Sequence, residues 1–140
     1  MKRKVIACLL IFVVISVFAV YFFVQSVYSS GTEGYVQQSI EIPLELRVNP
    51  AVVEFLNNVN DLANQKELLD YQFKQVIQPA LGEKISAVNR LRIVLLGASI
   101  AERDQNIEMK FEEYKAQLPS IQSQLLGRSE DVFRSMWVKL

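Results

Sequence analysis

The chain has 140 residues, of which 51% are hydrophobic, with 15 basic residues, 15 acidic residues and no histidine. This balanced charge excludes the strongly basic surface of nucleic-acid-binding proteins, so no nucleic acid is expected as a partner. The lack of histidine removes the commonest general base and the commonest metal ligand, and a single cysteine excludes an intrachain disulfide.

The N-terminus combines a basic cluster with a long apolar segment. Lys2, Arg3 and Lys4 are followed directly by a run from Val5 to Val24 in which Ser16 is the only polar member, and which is long enough for an α-helix to cross roughly 30 Å of hydrocarbon. Because basic residues favour the cytoplasmic side, we predict a cytoplasmic segment over 1–4 and a transmembrane signal-anchor helix over 5–28. A cleaved leader is the alternative, although the apolar core of a leader has only about 7–15 residues.

The remaining chain gives weaker indications of its compartment. After the predicted anchor there are 12 basic and 15 acidic residues, and none of the seven asparagines begins an Asn-x-Ser/Thr sequon. Sequons are common on the surfaces of eukaryotic secreted domains. We therefore expect a protein of the bacterial inner membrane with its C-terminal domain in the periplasm, or a secreted domain if the leader is cleaved.

Residues 29–48 are predicted to form a flexible tether followed by an extended, β-like arm. The tether (residues 29–34) is rich in small polar residues. The arm (residues 35–48) has an apolar residue at every second position, as in a half-buried strand, at Ile40, Ile42, Leu44, Leu46 and Val48. Pro43 cannot donate a ladder hydrogen bond, and no second segment alternates in this way. The arm could lie in a groove of its own domain, pair with a partner's sheet, or form a disordered linker.

Residues 49–140 are predicted to form a helical domain with helices at about 50–77, 83–118, 119–126 and 130–138. Asn49 is a favourable N-cap and Pro50 suits the first helical position. Breaks are expected near Pro79 and Pro119, because the residue before a proline avoids helical geometry. The predicted fold class is mainly α: a single transmembrane helix, a short extended arm, and a periplasmic helical hairpin or small helical bundle.

In the predicted helices 50–77 and 83–118, apolar residues recur every three or four positions, as in helices that pack against each other. The segment 93–101 is apolar almost all round and is expected to be fully buried, with Gly97 and Ala101 allowing close approach of a neighbouring backbone. The helix-packing candidates are Phe55, Val59, Leu62, Leu69, Phe73, Ile93, Gly97, Ile100, Ala101 and Ile107. The apolar C-terminus is expected to dock on its own bundle or in a partner's groove.

No sequence motif of catalysis is present: there is no Gly-rich phosphate loop, no nucleophile elbow and no Cys/His cluster. We therefore expect no enzymatic activity, no cofactor and no metal. The expected function is that of a scaffold or interaction subunit in a bacterial cell-envelope complex, contacting the lipid bilayer and other envelope proteins or further copies of itself. The partner-binding candidates are Ile40, Ile42, Leu44, Leu46, Val48, Phe133, Met136 and Trp137.

Two alternative functions remain open at this point. One is a ligand-sensing or regulatory periplasmic bundle that acts laterally on another membrane protein. The other is a phage lysis component, which the length of the chain and its predicted topology permit.

Overall fold

A computed structural model describes residues 2–139 as helices joined by irregular segments. Met1, at the start of the predicted basic segment, and Leu140, at the end of the predicted helical domain, lie outside the described residues. Within residues 2–139 there is no β-strand. The helices are α1 (Lys2–Ser29), α2 (Pro50–Gln72), α3 (Gln78–Ala80), α4 (Ala87–Ser123) and α5 (Arg128–Trp137), and a π-helical segment (Phe73–Ile77) joins α2 to α3. The mainly α class is confirmed.

The first helix, α1, is long and apolar enough to cross a membrane. Its 28 residues extend over about 42 Å. The apolar side chains from Val5 to Phe22 are exposed, whereas Phe23 and Val27 contact apolar residues of the later helices. The exposed apolar part of α1 therefore ends where its contact with the rest of the chain begins.

The predicted helix end at residue 77 is wrong, because the chain stays helical through Pro79 to Ala80. Gln78 keeps right-handed helical geometry (φ −58°, ψ −44°), and its N–H donates to the carbonyl oxygen of Phe73. This bond spans five residues, as in a π-helix. In an α-helix the ring of a proline would clash with the carbonyl four residues back. The wider π turn relieves that clash, so the helix continues.

The predicted helices 83–118 and 119–126 form one helix, α4, with Pro119 inside it. Pro119 is exposed, so the carbonyl that loses its intrahelical donor can bond to water. Continuing the helix past Pro119 also brings Ile121 into the apolar core. The start of α4 is set by Ser86, whose Oγ accepts a hydrogen bond from the N–H of Asn89 at 3.3 Å. The predicted helix over 130–138 is present as α5.

Helices α2 and α4, the two longest helices that follow α1, lie side by side. The ring of Phe55 contacts that of Tyr114, and the ammonium of Lys66 contacts Asp104. Three apolar clusters follow each other along this pair. The first, remote from α1, includes Leu46, Val52, Phe55, Leu56, Val59, Ile121, Leu125, Phe133 and Met136; the second is Leu62, Leu69 and Ile107; the third, beside α1, is Val27, Ile77 and Leu96.

The arm lies on its own domain and does not form the predicted strand. Ile40 and Ile42 contact the remote cluster, and Leu46 is fully buried in it. From Pro43 the backbone turns, since the N–H of Leu46 donates to the carbonyl oxygen of Pro43 at 3.0 Å. This turn ends the two-residue period, and it leaves Leu44 exposed at 77% and Val48 at 83%. Of the arrangements predicted for the arm, the intramolecular one is present.

The apolar C-terminus docks against its own bundle. Phe133 is fully buried, and the ring centroid of Trp137 lies 5.6 Å from that of Phe55 and 6.2 Å from that of Phe111. Aromatic rings at these separations attract each other beyond the burial of their area. The last helix thereby covers the remote cluster with its aromatic side chains.

Most helix-packing candidates lie in the core or beside it. Phe55, Val59, Leu62, Leu69 and Ile107 are buried, and Ile93 and Ile100 contact the clusters. Phe73 is 40% exposed, because the π-helical segment starts there and rotates the apolar face. Ala101 is exposed. A Cβ on Gly97 would lie 3.6 Å from Cδ1 of Ile77, so a side chain approaches it, not a backbone.

The predicted full burial of segment 93–101 is also wrong. Leu96 is fully buried, but Val94 is 65% exposed and Leu95 is 38% exposed. Only α1 and the π-helical segment contact this part of α4 in the third cluster, and both lie on the same side of it. One side of this apolar segment of α4 is therefore not covered by any other part of residues 2–139.

The arm provides a matched test of the packing. Leu46→Ala should lower the free energy of unfolding by about 2–5 kcal/mol, because it opens a cavity in the core. Leu44→Ala, two residues earlier and exposed, should change it by less than about 0.5 kcal/mol. Chemical unfolding of the full chain in detergent micelles, followed by the fluorescence of Trp137, measures both. Equal effects would contradict the described path of the arm.

Candidate interaction surfaces

The end of α1 is held by two polar side chains from the helices that follow it. Gln72 is fully buried, and its Nε2 donates to the carbonyl oxygens of Tyr28 (3.1 Å) and Ser30 (3.3 Å). Nη2 of Arg92 donates to the carbonyl oxygen of Ser26 (3.3 Å) and to its Oγ (3.1 Å). The last carbonyls of a helix lack intrahelical donors, and a cation is favoured at that end of the helix dipole. We call these five residues the anchor junction.

The segment after α1 also makes hydrogen bonds with α2. The hydroxyl of Tyr71 donates to the carbonyl oxygen of Glu33 at 2.8 Å, and that of Tyr35 donates to the carbonyl oxygen of Asn64 at 2.9 Å. Burial raises the pKa of Tyr35, and the nearby Glu67 carboxylate raises it further. The phenol therefore remains protonated and able to donate at neutral pH.

Asn64 joins the start of the arm to α2. Its side chain is almost fully buried; Oδ1 accepts from the N–H of Gln38 at 3.0 Å, and Nδ2 donates to the carbonyl oxygen of Asn60 at 3.0 Å. Both ends of the amide are thus satisfied, as a buried polar group requires. The contact sets where the arm begins to follow α2 toward the remote cluster.

A cleft of about 440 Å³ lies between α2 and α4, lined mainly by apolar side chains that include Val59, Leu62 and Phe111. Lys66 lies at its rim, with Nζ 2.5 Å from Oδ1 of Asp104. The hydrogen bond from Lys66 to Asp104 raises the pKa of the lysine, so the ammonium stays charged and paired. The cleft therefore has the character of an apolar contact surface with a neutralised ion pair at its edge.

Three large apolar side chains are exposed at the end of the domain remote from α1. They are Leu44 at 77%, Val48 at 83% and Leu126 at 85%, and we call them the remote tip. Val48 from the arm and Leu126 from the loop after α4 line one concavity of about 300 Å³. Glu45 and Arg128 flank the tip, with Oε1 and Nε 3.8 Å apart. The tip is thus an apolar surface with a charged border.

The partner-binding candidates divide into an exposed group and a group packed in the domain's own core. Leu44 and Val48 are exposed at the remote tip. Leu46, Phe133 and Met136 are buried in the remote cluster, and Ile40, Ile42 and Trp137 are partly buried against it.

Sequence reasoning missed Leu126 and the polar residues of the anchor junction. A signal for Gln72 was present, because it lies three residues after Leu69 and four before Val76, on the apolar side of the helix. No protein-family model, curated protein or solved structure matches the chain.

Two glycines test how closely the segment after α1 approaches the π-helical segment. Gly31 has φ +76°, and a Cβ there would lie 2.6 Å from Cγ2 of Val76; Gly82 has φ +93° and open space around it. Gly82→Ala should cost about 1–2 kcal/mol for the left-handed backbone alone. Gly31→Ala should cost about 1–3 kcal/mol more, because Val76 must move. Unfolding midpoints in detergent compare them, and equal losses would contradict the close approach.

Proposed function

We propose that this chain is a non-enzymatic, membrane-anchored interaction subunit of a bacterial cell-envelope complex. In this proposal α1 crosses the inner membrane once, with Lys2, Arg3 and Lys4 in the cytoplasm and the helical domain in the periplasm. The exposed apolar side chains of α1 and the basic residues at its start support the crossing and its direction.

The domain then acts as a spacer between the membrane and the remote tip. We infer that α2 and α4 form a helical hairpin standing on the anchor junction. The 37 residues of α4 extend over about 55 Å, and its first turns lie beside the end of α1. Because Gln72 and Arg92 bind the end of α1, the hairpin would hold the tip at a set distance and direction from the bilayer.

The remote tip is the surface that we assign to a protein partner, and it carries the proposal. The arm buries Leu46 yet exposes Leu44 and Val48, and Leu126 from a different segment is exposed beside Val48. Apolar side chains grouped on a surface and bordered by charges resemble the core and rim of protein interfaces. The partner would be an envelope protein, or a second copy, with a complementary apolar patch.

Photo-crosslinking in native membranes tests this assignment. A photoreactive amino acid at Val48 or Leu126 of the full-length protein should give the same discrete crosslinked product. The matched control is Val36, which is also apolar and 77% exposed but lies near Tyr35, at the other end of the arm. The product should be absent or at least tenfold weaker from that position.

A substitution separates binding from folding in the same experiment. Leu44→Asp should abolish crosslinking from Leu126 without lowering protein abundance, because Leu44 is exposed. Ile42→Asp is unsuitable, because Ile42 contacts the core and its loss would unfold the domain. Equal products from Val36 and Leu126, or an undiminished product with Leu44→Asp, would contradict the proposal.

A further inference from the structure

The first turns of α4 have an apolar face that points away from the bundle. Val88, Leu91 and Leu95 are spaced by three and four residues and so share one side of the helix, with Val94 beside them. Val88 is 61% exposed, Leu91 52%, Leu95 38% and Val94 65%. We call these four residues the outer face of α4. Leu81, in the loop before α4, is a further exposed apolar residue at 66%.

The outer face of α4 lies near the end of the exposed apolar part of α1. Arg92 is bonded to Ser26, and Leu96 shares an apolar cluster with Val27 and Phe23. Phe23 still belongs to the apolar run that ends at Val24. Residues packed beside it are therefore close to the boundary of any bilayer that α1 crosses. Val88 and Leu91 precede Arg92 along α4, which runs from there toward Ile121 in the remote cluster, so they lie at the end of the domain nearer α1.

The charges around the outer face are mainly basic. Lys84, Arg90 and Arg92 are basic, Glu83 beside Lys84 is acidic, and the next acidic residue along the chain is Glu102. Lys84 and Arg90 are exposed. Basic residues bordering an apolar helix face are typical of helices that lie in the headgroup region of anionic membranes.

We propose that the outer face of α4 inserts into the interface of the same bilayer that α1 crosses, so that the domain contacts lipid at a second point. The inference rests on the proposed crossing by α1. The occupant is lipid because the face belongs to the part of α4 that packs beside the end of the exposed apolar part of α1, and because its mainly basic border suits phosphate headgroups. In a symmetric dimer through this face, the like charges of Lys84 and Arg90 from two copies would be brought together.

Depth-dependent fluorescence quenching in vesicles tests the inference. The probe is NBD on a single cysteine at Leu91 of the full-length protein, with Cys8→Ser removing the only native cysteine. Vesicles contain phosphatidylethanolamine and phosphatidylglycerol, with or without lipids that carry a nitroxide high on the acyl chain. We expect at least a twofold loss of emission from Leu91→Cys. The matched control is Lys110→Cys, exposed and about 28 Å further along α4, which should not be quenched.

A third position separates failure of this inference from failure of the anchor. Phe12, in the middle of α1, is 70% exposed, and Phe12→Cys should be quenched strongly by a nitroxide deep in the acyl chain. If Phe12→Cys is quenched and Leu91→Cys is not, the lipid contact is wrong and the anchor stands. If neither is quenched, both are wrong.

Two further readouts complete the test. If Leu91→Cys is shielded only at high protein-to-lipid ratio and is not quenched, a second copy covers the face and the lipid contact is overturned. Circular dichroism of each labelled protein should match that of the parent, which ensures that quenching reports a folded domain. Leu91→Asp with Leu95→Asp in the vesicles should expose a label at Val88 to water and remove its quenching.

Discussion

The arrangement of this protein depends on how the last carbonyl groups of α1 are satisfied. Gln72 and Arg92 come from two different helices, and both donate to backbone oxygens at the end of α1. Gln72 is fully buried, and a buried amide without its acceptors costs about 1–3 kcal/mol, so the contacts at this junction are hard to break while the domain stays packed. Because they tie the anchor to α2 and α4 together, they set the direction of both helices relative to the apolar part of α1.

The other contacts hold together the parts of the domain that lie further from α1. The arm follows α2 from Asn64 to the remote cluster, and α5 closes that cluster with its aromatic side chains. Leu44, Val48 and Leu126 stay outside because the chain turns at each of these places. Two of the apolar surfaces that the domain does not cover itself thus lie at its ends, one at the remote tip and one beside the end of α1. This distribution is the reason why we propose an anchored spacer with a contact at each end.

Local and periodic signals in the sequence were reliable. Asn49 caps α2 and Pro50 starts it, and the three-and-four spacing found the core from Phe55 to Ile107. The predicted helix breaks near the two prolines were wrong. A π turn before Pro79 and the solvent exposure of Pro119 allow the chain to stay helical past each of them. Residues 93–101 were expected to be buried because an apolar helix usually is. The tip and the anchor junction join distant segments, and a single sequence does not show which segments meet.

The most direct test of the account is the distance distribution between spin labels on the anchor and on the domain, in vesicles. With Cys8→Ser, labels at Gln25→Cys and Lys110→Cys, both exposed, report the direction of α4 relative to α1. We expect a single distance population, as narrow as that between labels at Asp61 and Lys110 within the domain. This distance distribution should broaden when Gln72 and Arg92 are both replaced by alanine. A distribution that is broad before those replacements would mean that the domain swings freely, and would contradict the account.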